Sequence, residues 1–423
     1  MPLFPQRTQT PGRAAVAFIF VTVALDMLAF GIIAPVLPKL IVEFEGGNVA
    51  RAASTVGYFG FAWATMQFIF SPLLGAWSDR HGRRPVVLLS NFGLGIDYVF
   101  MALAPSLSWL FVGRLISGIT SASLPTAFAY ISDVTPPERR AKQFGLVGAA
   151  FGFGFIVGPA VGGLLGNINL RLPFWFAAGL SLTNALYGFF ILPESLPPER
   201  RAKDIRGLTN PLSSLTLLRS HAGLIGLALV LFLCYFAQQS LASVYVLYAD
   251  YRYAWSERTL GFSLALVGVC SSLVSGVFVG PIVKRFGERR TLLAGVSFGI
   301  LGFLSFGLAA RGSLFLAGVP FISLWGLFGP PAQSLMTQRV DPSAQGQLQG
   351  AINSLRGISG MIGPLVFSQV FSVAINPRLH VHLPGAPFFT AALSLLTALW
   401  VCWNTAAASP PARDPAAGVS PIP

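Results

Sequence analysis

The stretch Gly75-Ala76-Trp77-Ser78-Asp79-Arg80-His81-Gly82-Arg83-Arg84 has an echo 205 positions later, Gly280-Pro281-Ile282-Val283-Lys284-Arg285-Phe286-Gly287-Glu288-Arg289. Gly75, Arg80, Gly82 and Arg84 meet Gly280, Arg285, Gly287 and Arg289. Each stretch closes an apolar run with a glycine, which lets a backbone reverse, among arginines. The same offset joins Gly145, Gly152, Gly158 and Pro159 to Gly350, Gly357, Gly363 and Pro364. One offset shared by two separated motifs marks an internal duplication.

Outward from these turns the chain reads as apolar runs. A membrane-spanning helix needs about 20 mostly apolar residues. Twelve segments meet that length: 15–38, 55–77, 85–104, 107–130, 143–166, 173–192, 223–247, 259–283, 291–310, 313–335, 347–372 and 386–404. None alternates polar and apolar as a barrel strand would. The first run is too long for a cleavable signal and continues into Pro35 and Pro38. The expected fold is all-α and integral to the membrane, with twelve transmembrane helices in two six-helix bundles. Parallel repeats of this kind belong to one transporter architecture, whose site lies between the halves near the bilayer midplane. The longest polar interruption, 193–222, is expected to be a cytoplasmic central loop between bundles 1–192 and 223–404, with 405–423 a disordered Pro/Ala-rich tail.

Composition agrees. Hydrophobic residues make up 54% of the 423 and charged residues 10%, with mean hydropathy +0.68. A water-soluble chain of this size needs far more polar surface. The net charge of +13 suggests nucleic acid at first sight. The basic residues, however, cluster between apolar runs. With the N-terminus inside, 19 of the 28 fall on inner segments and 7 on outer ones, leaving Arg114 and Arg356 within spans. That asymmetry is the positive-inside pattern, so topology replaces nucleic acid and both termini are expected in the cytoplasm. Cys234, Cys270 and Cys402 all lie in apolar runs and offer neither a disulfide framework nor metal-ligand spacing.

The Gly75–Arg84 segment resembles the signature loop of the major facilitator superfamily. Leu25-Asp26 through Gly31, Pro35 and Pro38 resembles the first-helix motif of its drug:proton antiporters. Gly113-Arg114-Leu115-Ile116-Ser117-Gly118 resembles the fourth-helix arginine motif. Gly154, Gly158, Pro159, Gly162 and Gly163 fit the fifth-helix antiporter motif. With Ile96-Asp97-Tyr98 and Ile119-Thr120, the pattern is closest to tetracycline-efflux proteins. The resemblance implies a bacterial inner-membrane exporter of small amphipathic organic molecules that needs no cofactor and is driven by the proton gradient. Its partners would be the substrate, protons and the lipid bilayer.

Candidate residues follow. Asp26 sits mid-span, where a charge costs roughly 2.5–3.5 kcal/mol on an insertion scale. A carboxyl there can be neutral in one conformation and ionised in another, as a proton-coupled carrier requires; a hydrogen-bonded structural role is the alternative. Asp97 is either a second proton site or an acid held ionised by an arginine. Arg114 stays charged at any working pH, and the resemblance associates its motif with proton transfer. Asp79, Arg80, Gly82, Arg83 and Arg84, with Asp133 beyond the fourth span, are expected to form a gating loop. In it Asp79 would pair with an arginine or with a helix N-terminus of the other half. Pro159 and Pro364 are expected to kink their helices. Gln67, Tyr235, Gln238, Gln239, Trp325, Gln333 and Arg356 suit a mostly apolar cavity with a few polar groups.

The second half departs from the tetracycline pattern: Ser271 and Gly299 stand where those proteins carry an intramembrane His and Asp. Proton coupling must therefore rest on the first half. Rival readings are a metabolite exporter or uptake facilitator on the same fold, and an intramembrane protease. For the protease, Gly93-Leu94-Gly95-Ile96-Asp97 has one residue too many for Gly-x-Gly-Asp, and Gly295-Val296-Ser297-Phe298-Gly299 lacks its strand–turn–helix setting and a histidine. No Gly-x4-Gly-Lys-Ser/Thr loop is present for an ATP-driven pump.

Overall fold

The computed structural model describes residues 13–121, 123–202, 212–220, 223–379 and 382–405. Of the expected 405–423 tail only Thr405 is described, as the last residue of a helix, and residues 203–211 and 221–222 of the central loop lie outside the described residues. Among the described residues, twelve helices are long and apolar enough to cross a membrane. In the first half these are α1 (Phe18–Phe44), α2 (Val49–His81), α3 (Arg83–Leu103), α4 (Leu107–Val134), α5 (Gln143–Ile168) and α6 (Leu172–Ile191). In the second they are α7 (Leu224–Tyr253), α8 (Glu257–Phe286), α9 (Glu288–Leu308), α10 (Gly312–Thr337), α11 (Gln345–Ala374) and α12 (Ala386–Thr405). Among the described residues there is no strand. Leu308, Trp400, Leu393 and Phe190 are 71%, 69%, 64% and 62% exposed. In water such a belt would drive aggregation; against lipid tails it carries no penalty.

The duplication is visible in the packing. In the first half α1 packs on α5 and α3 on α6; six helices later α7 packs on α11 and α9 on α12. The halves meet by the same rule, α2 on α11 and α8 on α5. The two quoted turns are equivalent as well. Gly82 and Gly287 each end one helix and begin the next, with φ of +108° and +78°. Few side chains tolerate that region.

Regular helix fails where prolines remove donors. α1 is interrupted by a turn at 34–36, between Ile33 and Leu37, around Pro35. α10 passes through a 3-10 segment, Trp325–Phe328, before resuming at Gly329 with Pro330 and Pro331 in its first turn. α8 carries a π-helical stretch, Val274–Phe278. By contrast, α5 and α11 stay helical through Pro159 and Pro364.

Candidate functional site

The halves touch along only part of their length. α2 meets α11 from Ser372, whose Oγ donates to the Ala50 carbonyl (2.7 Å), to Phe68 against Gly357. α5 meets α8 from Gly163, 2.9 Å from Gly261 Cα by its added Cβ, to Gly152 beside Ser272. Beyond those points Gly75, Gly145, Gly148, Gly276 and Gly280 have nothing within 4 Å of an added Cβ. These glycines lie toward the Asp79 loop. Among the described residues the contacts between the halves gather toward the Lys39 face and stop short of the Asp79 face, which leaves the cleft closed at the first and open at the second.

The closed face is locked by ions. Lys39, after the α1 turn, lies 3.1 Å from Asp250 and 3.0 Å from Glu257, and its Nζ donates to the Trp255 carbonyl (2.8 Å). All three partners belong to the second half. In the sequence Lys39 is one of the seven outer basic residues, and nothing local ties it to residues more than 200 positions away.

Asp26 is buried, 5% exposed, on the side of α1 that faces α3 and α6. Asn184 of α6 donates from Nδ2 to Asp26 Oδ1 and to the Thr22 carbonyl, both at 3.3 Å, while Thr22 Oγ1 donates to Asn184 Oδ1 (3.2 Å). The Asn91 amide satisfies both neighbours when its Nδ2 donates to Asp26 Oδ1 (3.3 Å) and Oδ2 (3.1 Å) and its Oδ1 accepts from Asn184 Nδ2 (3.1 Å). Both carboxylate oxygens thus accept from neutral amides. Rotating the Asn91 amide by half a turn presents its carbonyl oxygen instead, the acceptor a protonated carboxyl requires. Asn91 and Asn184 were missed in the sequence; they are fully buried amides in apolar runs, and only their convergence on an acid reveals them.

Asp97 and Arg114 form the buried pair that spacing left unassigned, with Nη2–Oδ2 at 3.2 Å. Arg114 also lies 3.3 Å from Met101 Sδ. Asp97 Oδ1 and Arg114 Nε find no hydrogen-bond partner among the described residues. The pair is incompletely satisfied in this conformation, and removing either partner would strand the other's charge.

The loop at the open face is folded onto its own half. Asp79 pairs with Arg83, one turn on, and not with a helix N-terminus of the other half. Arg83 Nε reaches Asp133 Oδ2 at 3.1 Å, and Ser195 Oγ donates to the same oxygen (3.1 Å). The helix end that does receive a carboxylate is that of α3. Glu194 accepts from the Arg83 and Arg84 amides at 2.8 and 3.3 Å, where an acid also complements the helix dipole. Arg84 is buried, its Nη2 donating to the Phe189 carbonyl (2.6 Å), while Arg80 is exposed.

The antiporter-motif glycines serve two neighbours. Added Cβ atoms on Gly154, Gly158 and Gly162 meet the α1 backbone at Leu28, Gly31 and Ile32, and one on Gly163 meets Gly261 of α8. Small residues at this spacing allow backbones to approach closely. α5 is thus wedged between its own bundle and the other one.

The cavity candidates separate. Arg356 is exposed and stands over the Tyr235 ring, 5.0 Å from its centroid. Gln239 packs against Gly363 of α11, and Gln67 Nε2 donates to Ser121 Oγ (2.8 Å). Gln238 is exposed and Gln333 half-buried. Trp325 is not brought to the cleft. It is 4% exposed, packed on Phe303 and Phe328. An added Cβ on Gly299 would meet its ring at 2.7 Å. Gly299 is where the resembled pattern carries an acid; here an indole fills that space. Two residues missed earlier, Gln349 and Asn353, form an exposed polar stripe with Arg356 on α11.

Comparison with known proteins agrees with this geometry. The Major Facilitator Superfamily profile matches residues 19–364. The chain is 38% identical to the class C tetracycline resistance protein of Escherichia coli, over 86% of this chain and 91% of that one. It is 36% identical to the class G tetracycline resistance protein of Vibrio anguillarum, over 91% and 97%. Among solved structures, the human organic anion transporter MFSD10 matches at 26% identity and a TM-score of 0.69, over 93% of this chain and all of that one. In sequence and architecture, this chain belongs to the major facilitator superfamily.

Proposed function

We propose that the protein is a proton-coupled secondary transporter that exports small amphipathic organic molecules, tetracycline-like drugs among them, by alternating access. The observation that carries this reading is the mid-membrane cleft, locked at the Lys39 face and open at the Asp79 face, with the amide-cradled Asp26 inside one wall. The relatives' tetracycline resistance supplies the drug class. The basic excess orients the Asp79 face toward the cytoplasm of a bacterial inner membrane, so the open cleft loads from inside. Residues 1–192 and 223–404 rock as units about the cleft, joined by 193–222. Asp26 carries the proton, with Asn91 and Asn184 adjusting to either state, and the Asp97–Arg114 pair is a second, charge-coupled element. The Trp325 ring in place of a ninth-helix acid favours a drug handled differently from tetracycline. No enzymatic step is involved, and the proton gradient replaces a cofactor.

The test uses everted membrane vesicles from an efflux-deficient host, acidified inside, with tetracycline and a panel of amphipathic drugs. At least one should accumulate and drain when the gradient is collapsed. Accumulation that ignores the gradient, or none for any drug, overturns the proposal.

Asp79→Ala removes one of the two acids that hold Arg83 at the open face, leaving Asp133. Binding should stay within about twofold of wild type, while turnover falls at least about tenfold, since 1.4 kcal/mol in the closing step suffices. Equilibrium binding beside vesicle transport separates the two; retained turnover would reduce the loop to topology.

A further inference from the structure

Arg356 lies near the middle of α11. On that helix Ser359, Gly363 and Phe367 touch α7, through the Phe232 carbonyl, Gln239 and Phe236. Gly357, Pro364 and Ser368 touch α2 at Phe68, Gly60 and Gly57. At 3.6 residues per turn Arg356 projects between these two sets. The lipid-side residues Ile362 and Val373 lie on the other flank. Gln349 and Asn353, exposed on the same face, lead to it from the open end. The guanidinium therefore stands in the water-accessible cleft.

It has no carboxylate within salt-bridge distance among the described residues. The acids that could approach are engaged elsewhere. Asp250 and Glu257 hold Lys39, Glu288 accepts from Ser334 and Gln338, Asp97 holds Arg114, and Asp26 faces Asn91 and Asn184. Arg356 rests instead on the face of Tyr235. A guanidinium stays charged, and its planar fork of N–H donors matches a carboxylate. Gln239, one turn beyond Tyr235 on α7, has its Nε2 3.9 Å from an added Cβ on Gly360 of the Arg356 helix. Phe68 of α2, half-buried against Gly357, supplies an apolar surface beside Arg356.

Resting on the efflux reading, we propose its substrate class: organic anions whose planar oxyanion, a carboxylate in the simplest case, binds Arg356 and Gln239 while the apolar body lies along Phe68; Tyr235, buried beneath the guanidinium, holds Arg356 in place. An anion here neutralises the unmatched charge of the cleft; a cation meets repulsion.

The experiment compares a fluorescent aromatic carboxylate with its neutral carboxamide and its cationic amine. Binding is measured on the purified full chain, and pH-driven uptake in everted vesicles. Wild type should bind the carboxylate about ten- to a hundredfold tighter than the amide, the range of a hydrogen bond to a charged group. Arg356→Gln should erase that preference and Arg356→Lys should retain part of it. Equal binding of carboxylate and amide by wild type, or an undiminished preference in a folded Arg356→Gln, overturns the proposal. If Arg356→Gln fails to fold, the wild-type selectivity and the Lys variant decide. Gradient-driven export of the amine or amide without anion preference sinks this site but leaves the efflux reading standing. Anion-selective binding without gradient-driven transport of any probe upholds the site and sinks the efflux reading.

Discussion

Asp26→Asn is expected to abolish export driven by a pH gradient while leaving the protein folded. The substituted amide has nearly the shape of the carboxyl and sits in the same cradle. Its oxygen can accept from Asn184, as Asp26 Oδ1 does at 3.3 Å. Its new N–H groups need an acceptor, and a half-turn of the Asn91 amide provides one. Folding cost should accordingly stay near the scale of one rearranged hydrogen bond, about 1 kcal/mol. What is lost is the ability to bind and release a proton. Gradient-driven accumulation should fall at least about a hundredfold, an effect of 2.7 kcal/mol or more at 1.36 kcal/mol per decade, while equilibrium binding persists. Size-exclusion profile and thermal stability establish folding; vesicle uptake establishes coupling. Wild-type uptake by a folded Asp26→Asn protein would remove Asp26 from the cycle.

Gly162→Val is expected to prevent α1 and α5 from assembling. A Cβ at this position lies inside contact distance of the Ile32 backbone, with the Ile32 Cα 2.8 Å away. A flexible side chain could move aside, but main chain within a packed helix cannot. The neighbouring contacts at Gly158 and Gly154 are as close, at 2.7 and 2.6 Å from α1 backbone, so rotation of α5 offers no relief. Overpacking commonly costs 1–3 kcal/mol; a clash with backbone belongs at about 3 kcal/mol or above. The expected result is little or no monodisperse protein on extraction. Gly148→Ala on the same helix is the control. Nothing lies within 4 Å of its added Cβ, so stability should change by no more than about 0.5 kcal/mol. Comparable damage from both substitutions would trace the effect to helix α5 itself and not to its contact with α1.

The two buried acids of the first half illustrate how far sequence could reach. Both were visible as charges within apolar runs, because insertion cost makes such residues stand out against their neighbours. Their surroundings were not visible. Asp97 met Arg114, a partner 17 positions away whose match depends on how α3 and α4 pack. Asp26 met Asn91 and Asn184, which cost little enough in an apolar run to pass as ordinary packing residues. Gly82 and Gly287 were legible because a reversal of the chain constrains its own residue. Lys39 was not, because its partners come from the other half. Trp325 was placed in the cleft on its chemistry alone; the 3-10 turn in α10 instead leaves it among Phe303, Phe328 and Gly299.

Lys39 has one further consequence. A single ammonium is shared by two carboxylates, Asp250 and Glu257. Only one negative charge is needed to hold it, so the cluster has an acid in reserve. Asp250 stands near the end of α7 and Glu257 begins α8, so one side chain from the first half ties down two helices of the second. Opening this face must release both carboxylates in the same movement, which makes the outer gate a single latch rather than two independent ones.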